Sequence, residues 1–302
     1  RWLDSYRNIA IGDNALSEDA GDDNIAVGFF ALRLLEGGGN GNIGIGSRAG
    51  ETITTGARNI AIGWRTMWDL NAGSNSADSE DNIAIGYAAM NGAWADAQSN
   101  QNIAIGSYAM DGALDGAIRN VAIGHEALSS ATGADYNQAI GYRALYNVNT
   151  GGSNVAIGHE AALNLSSGGN NVAIGYHAGY NNQTGVYNVH IGMQAGYGAA
   201  SNSANTNTFV GYKTGYDVTS GYNNVAIGGQ ALENITTGYD NVAIGNAAGD
   251  ALTTTNFVTL VGRNAGGSIN STDANGTVAI GYEAGYGITS GAANTIVGYR
   301  AA

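Results

Sequence analysis

Cysteine and proline are absent from the 302 residues, and Lys and Arg together number only 11. Without cysteine there is no disulfide framework and no thiolate-bound zinc or iron–sulfur centre. The 11 cations against 24 Asp and Glu leave a formal charge of −13. That balance excludes a surface built to follow nucleic-acid phosphates, whose affinity rests on concentrated Lys and Arg. No run of about 18 apolar residues reads as a membrane-spanning helix. The chain also opens at Arg1 without a basic-then-apolar leader pattern. The expectation is an extracellular protein, of a bacterial surface or a virion, made without disulfides and kept soluble by acidic charge. It is expected to be a fragment of a longer fibre, reaching a membrane only through parts of the protein outside residues 1–302.

What the chain has instead is 49 glycines and a repeat. The stretch from Asn137 to Gly192 states one phrase four times: NQAIGYRAL, NVAIGHEAA, NVAIGYHAG, NVHIGMQAG. Its closing glycines, Gly141, Gly158, Gly175 and Gly192, are 17 residues apart. The same marker recurs at Gly12, Gly28, Gly46, Gly63, Gly86, Gly106, Gly124, Gly211, Gly228, Gly245, Gly262, Gly281 and Gly298, giving 17 repeats in all. Departures from the period fall between motifs, as in a solenoid whose loops vary while its coils stay intact. The expected fold is an all-β parallel β-solenoid, one repeat per coil, forming a single elongated domain over 1–302. At about 4.8 Å per coil, it would be a rod on the order of 80 Å long. The longest intervals, 23 and 20 residues, place the largest inserted loops within 64–106.

Within each unit, residues such as Asn154-Val155-Ala156-Ile157-Gly158 alternate β-branched and small side chains at period two, the signature of a short strand. The residue before each glycine is always Ile or Val. It is expected to point into the coil, which makes Ile123, Ile140, Ile157, Ile174 and Ile191 the core. Where Thr replaces the apolar residue at the start of the strand (Thr208, Thr259, Thr295), the middle residue becomes Phe209, Leu260 or Ile296. Bulk lost on one face reappears on the other, so both faces are expected to be buried, one of them against a layer outside the coil. After the glycine, a second short strand is expected to turn an alanine inward (Ala127, Ala144, Ala161, Ala178). Turns such as Thr184-Gly185 and Thr237-Gly238 then return the chain, with glycine supplying positive φ. Asn120, Asn137, Asn154, Asn171 and Asn188 open their motifs and are expected to stack as a hydrogen-bonded amide ladder.

The core N-[VI]-A-I-G-x-x-A, recurring from Asn8 to Ala301, resembles the head repeats of trimeric autotransporter adhesins and the related repeats of phage tail fibres. The resemblance implies a left-handed parallel β-roll, three chains wound side by side, and attachment of a cell or virion to a host surface. This sequence departs from that pattern in its longer repeat, its Thr-Gly turns and its frequent Ala-Leu or Ala-Gly-Tyr endings.

Motifs that carry chemistry elsewhere fit the repeat better here. Gly44-Ile45-Gly46-Ser47-Arg48-Ala49 matches a dinucleotide fingerprint, but no helix is expected after it. His125-Glu126 and His159-Glu160 lack the second histidine of a zinc-protease helix, since Ser129 and Leu163 stand in its place. Neither is expected to hold a metal. His190 replaces the usual strand alanine, and is expected to be a buried neutral imidazole in preference to an axial metal ligand. The acidic runs Glu18 to Asp23 and Asp78 to Asp81 lack calcium-loop spacing. There is no nucleophile elbow and no cysteine nucleophile, so neither enzymatic activity nor a cofactor is expected.

Three of the four tryptophans, Trp64, Trp68 and Trp94, fall where the intervals lengthen. With Asp69 and Asp96 beside them they form the candidate glycan site, rings stacking on sugars and carboxylates binding hydroxyls. The partners expected are two further copies of the chain and a host-surface or extracellular-matrix glycan or protein, with no nucleic acid. The function expected is a structural and adhesive fibre segment; the alternative is a tail-fibre shaft or receptor-binding module that reads a surface glycan.

Overall fold

The computed structural model describes residues 7–16, 19–69, 78–94, 97–199 and 202–302. The chain is a parallel β-solenoid of 17 three-residue strands with no α-helix among the described residues. It divides into two compact units, Arg1–Ser153 and Asn154–Ala302. The first holds eight strands, from β1 (Ile9–Ile11) to β8 (Gln138–Ile140), and the second nine, from β9 (Val155–Ile157) to β17 (Thr295–Val297). Within each unit neighbouring strands pair in register, so each motif position stacks on itself: Ala104 on Ala122 in the first unit, Phe209 on Ala226 in the second.

The phase of these strands reverses the expectation. The middle residue points into the coil and the flanking Val and Ile point out: Ala156 is fully buried, while Ile157 is 37% exposed. Ile123 and Ile191 are exposed to the same degree, and Ile140 and Ile174 are half-buried. None of the five forms the core. The physical reason is width. Each coil also turns in the residues three, four and seven places after the glycine, for example Ala144, Leu145 and Val148, all fully buried. With those side chains converging, only a small one fits at the strand's middle.

Bulk is traded inside the coil. Where the middle residue grows, the residue four places after the glycine shrinks to glycine: a Cβ on Gly215 would lie 2.3 Å from Phe209, and one on Gly266 would lie 2.7 Å from Leu260. His190 occupies room left in the same way by Gly179 and Gly196. Large inward residues are therefore paired with an absence elsewhere in the coil. The threonines at 208, 259 and 295 sit on the outer face, which no layer among the described residues covers.

Among the described residues no second strand follows the glycine. The residues there alternate right- and left-handed backbone, with φ of 55° at Glu126 and 53° at Leu128. Alternation turns Ala127 and Leu128 inward together, though they are consecutive. The inward alanine was legible, and its two exceptions, Thr66 and Thr214, are buried with hydroxyls donated to the carbonyls of Gly63 and Gly228.

Two glycine positions have separate causes. The motif glycine has φ of 134° at Gly175, and a Cβ there would lie 2.6 Å from the carbonyl oxygen of Gly192 in the next coil. Real Cβ atoms do not approach so closely, so neighbouring coils meet glycine to glycine. The turn glycine at 185 does not take positive φ, contrary to expectation; a side chain is excluded because its Cβ would lie 2.2 Å from the Ala204 carbonyl oxygen.

The asparagine ladder forms as expected. In the second unit Asn171 donates to the side-chain oxygen of Asn154 at 3.0 Å and to the Gly185 carbonyl at 2.8 Å. Asn188 repeats the pattern on Asn171 and the Ala204 carbonyl. In the first unit Asn120 and Asn137 do the same, on Asn102 and the Ala134 carbonyl and on Asn120 and the Gly151 carbonyl. Each buried amide thus satisfies a turn carbonyl and a neighbouring coil at once.

Candidate functional site

The outer face of the sheet is the first candidate. In the second unit the residues before the glycines, from Ile157 through Ile227, Ile244 and Ile280 to Val297, stand in one column, and Val155, Val172 and their equivalents stand in another. Ile227 is 40% exposed and Val297 66%. In each unit a third column, just after the glycines, is rich in aromatics: Trp64, Tyr87 and Tyr142 in the first, Tyr176, Tyr212 and Tyr282 in the second. The face is therefore apolar over many coils, with no charge in its strand columns.

The second candidate is the tryptophan region of the first unit. Trp64 is 39% exposed and stacks on Tyr87, with ring centroids 5.1 Å apart and planes 15° apart. The Arg65 guanidinium lies between Trp64 and Trp68, 4.3 Å and 4.2 Å from their rings. Trp68 is half-buried and donates its indole N–H to Glu51 at 2.9 Å. Glu51 is buried and also accepts from Arg33 at 2.8 Å and Arg48 at 3.0 Å. Opposite charges hold the carboxylate inside, while the cations' flat faces lie over the aromatic rings of Phe30 and Trp68.

Three of the five proposed glycan residues lie together here. Trp64 and Trp68 are brought together, and Asp69 is half-buried beside them, its backbone carbonyl accepting the backbone N–H of Trp94 at 3.2 Å. Trp94 is a correction: it is fully buried and forms part of the coil interior, where no sugar reaches it. Asp96 lies outside the described residues, as does Glu18 of the first acidic run. Sequence inspection missed Glu51, Arg33, Arg48 and Arg65. The signal was available, since Glu51 and Trp68 are one period apart and so share a column.

The other motifs are accounted for. Gly44 is the inward middle residue of β3 (Ile43–Ile45), where a Cβ would lie 2.7 Å from Leu32, and no helix follows. The acidic runs are partnered: Arg58 bonds Asp81 at 2.6 Å and Arg7 bonds Asp23 at 2.8 Å. His190 points inward and stacks on Phe209 at 5.5 Å, away from any axis on the outer face. Burial pushes its pKa down to about 4, so it is neutral at pH 7.

Comparison with protein-family models, with curated proteins and with solved structures finds no match.

Proposed function

We propose that the chain is a structural and adhesive segment of an extracellular fibre, assembled as a parallel homotrimer through the Val/Ile face. The observation that carries this reading is the outward column of isoleucine and valine, repeated coil after coil within each unit with no covering layer among the described residues. Monomers rarely leave contiguous apolar patches above about 300–600 Å² in water. Three parallel copies sharing one axis would bury identical stripes against each other, and cyclic symmetry would close the assembly without a remaining sticky surface. The resemblance to adhesin heads and tail-fibre repeats supports a surface-attachment role, on a bacterial cell or a virion. The described residues bring together no constellation of nucleophile, base and oxyanion donor, and we read the chain as a non-enzyme. Light scattering of the purified chain should give about three times the 30.6 kDa of one chain. A single-chain mass that persists at high concentration would remove the trimer.

The Trp64–Trp68 cluster favours a second reading, in which the same fibre recognises a surface glycan. The half-exposed Trp64 ring backed by Tyr87 offers a face for a sugar ring, and Arg65 and Glu51 fix the neighbouring groups. Glycan-array binding should fall at least about tenfold in Trp64→Ala, the loss of a stacking anchor being worth roughly 1.4 kcal/mol or more. Binding that is absent, or unmoved by Trp64→Ala and Trp68→Ala, rules this reading out.

A further inference from the structure

Two neighbouring coils of the second unit place four side chains in a two-by-two block. His159 and Glu160 follow Gly158; Tyr176 and His177 follow Gly175, one period later. The Glu160 carboxylate lies 2.8 Å from His177 Nε2 and 4.0 Å from His159 Nδ1. One ligating atom from each of these three residues falls within 4.8 Å of the others. The Tyr176 ring orients both imidazoles, stacking on His177 at 3.8 Å and on His159 at 5.2 Å. His177 and Glu160 are largely buried, and His159 is half exposed, so the group is open to solvent on one side.

We infer that His159, Glu160 and His177 form a surface site for a zinc-class divalent ion, with the open side left for water. Two imidazoles and a carboxylate suit zinc and its neighbours in the first transition row. Bonds of about 2.0–2.1 Å in a tetrahedral arrangement put ligand atoms about 3.4 Å apart. The observed separations bracket that value, so the ion needs only a small opening of the His177–Glu160 pair and a small closing of His159. The bound ion would tie the coil of Gly158 to that of Gly175.

The chain carries its own control. In the first unit His125 and Glu126 stand above Tyr142 and Arg143 in the same four positions, with His125 stacked on Tyr142 at 5.7 Å and Arg143 paired to Glu126. The one change of type, arginine for histidine, decides the matter, because a guanidinium has donors only and cannot ligate a cation. Replacing His177 by arginine therefore keeps a carboxylate pair that this fold already accommodates, and removes the ligand.

Calorimetric titration of the tag-free chain with Zn²⁺ should show one ion per chain. The His177→Arg variant should lose that binding while its circular-dichroism spectrum and melting curve without zinc stay as in the parent. An outer-shell partner alone is worth about 10–100-fold in metal affinity, so loss of a ligand should exceed that. Arg143→His should raise the stoichiometry to two. The inference is overturned by an absence of saturable binding, by binding that survives both His177→Arg and His159→Ala, or by an Arg143→His variant that still takes one ion.

Discussion

Replacing Asn171 by leucine should destabilise the second unit by about 3–5 kcal/mol, far more than an exposed asparagine removed from the same unit. Leucine matches the volume of asparagine closely enough that the loss is one of polar partners. The Gly185 carbonyl loses its donor at 2.8 Å, and the side-chain oxygen of Asn154 loses one at 3.0 Å. The Asn188 N–H and side-chain amide lose the acceptor they meet at 3.0 and 3.1 Å. All these groups are buried, and each unsatisfied one costs about 1–3 kcal/mol. Because stacked coils behave as a chain of nearest-neighbour interfaces, the damage should be local first. Hydrogen exchange should show the Asn188 amide losing protection before amides near Gly262. The control is Asn246→Ala, whose amide is exposed and donates to the Gly229 carbonyl at 3.0 Å; it should cost about 0.5 kcal/mol. Equal melting curves for the two variants would mean that the ladder contributes nothing.

The ladder was legible because one residue type recurs at one register and its chemistry allows one arrangement. The solenoid was legible for the same reason. The strand phase was not, although the alternation was plain. Alternation says that Val155 and Ile157 share a face and that Ala156 takes the other; it does not say which face is the interior. Hydrophobicity alone assigns the larger residues inward, and here it misleads. The deciding information sits outside the strand, in the residues four and seven places after the glycine. Leu145 and Val148 fill the coil, and the trade between Phe209 and Gly215 shows that the middle position faces them. That covariation was present in the sequence and went unread, because a regular second strand was expected where left-handed residues turn two consecutive side chains inward.

The candidate sites divide along the same line. Trp64 and Trp68 were found because tryptophan is rare and the intervals lengthen there. Trp94 was misplaced, since an inserted segment gives no period from which to read its direction. His177 was passed over because metal motifs are sought along a helix, at three or four residues, whereas this fold brings together residues one period apart. In a solenoid the relevant neighbour of Glu160 within its own unit is at position 177. Read in that register, the position two places after the motif glycines becomes a series of cross-coil pairs, Glu126 with Arg143, Glu160 with His177, Glu283 with Arg300.

The strand phase makes adjacent residues respond in opposite ways to the same substitution. Ala226 is fully buried, paired in register with Phe209 and Ala243 and in one cluster with Ala231 and Leu232. An aspartate there would place a carboxylate among apolar side chains with no cation within the coil, and the surrounding packing has no slack for the added atoms. Ala226→Asp should cost more than about 4 kcal/mol, the range reserved for unpaired buried charge, and should leave the second unit without its β-sheet spectrum. Ile227, next in the chain, already has 40% of its surface in water. Ile227→Asp should retain that spectrum, because the new carboxylate is solvated and the inward side chains are untouched. What it should change is the proposed association: a charge in the middle of the Val/Ile column would have to be desolvated in the proposed trimer, so the mass by light scattering should fall toward 30.6 kDa. Measured together, circular dichroism and light scattering separate the two effects. If Ile227→Asp unfolds the unit as Ala226→Asp does while dispersed as single chains, the outward assignment of the isoleucines is wrong. If it folds and the mass stays at three chains, the interface lies elsewhere on the coil.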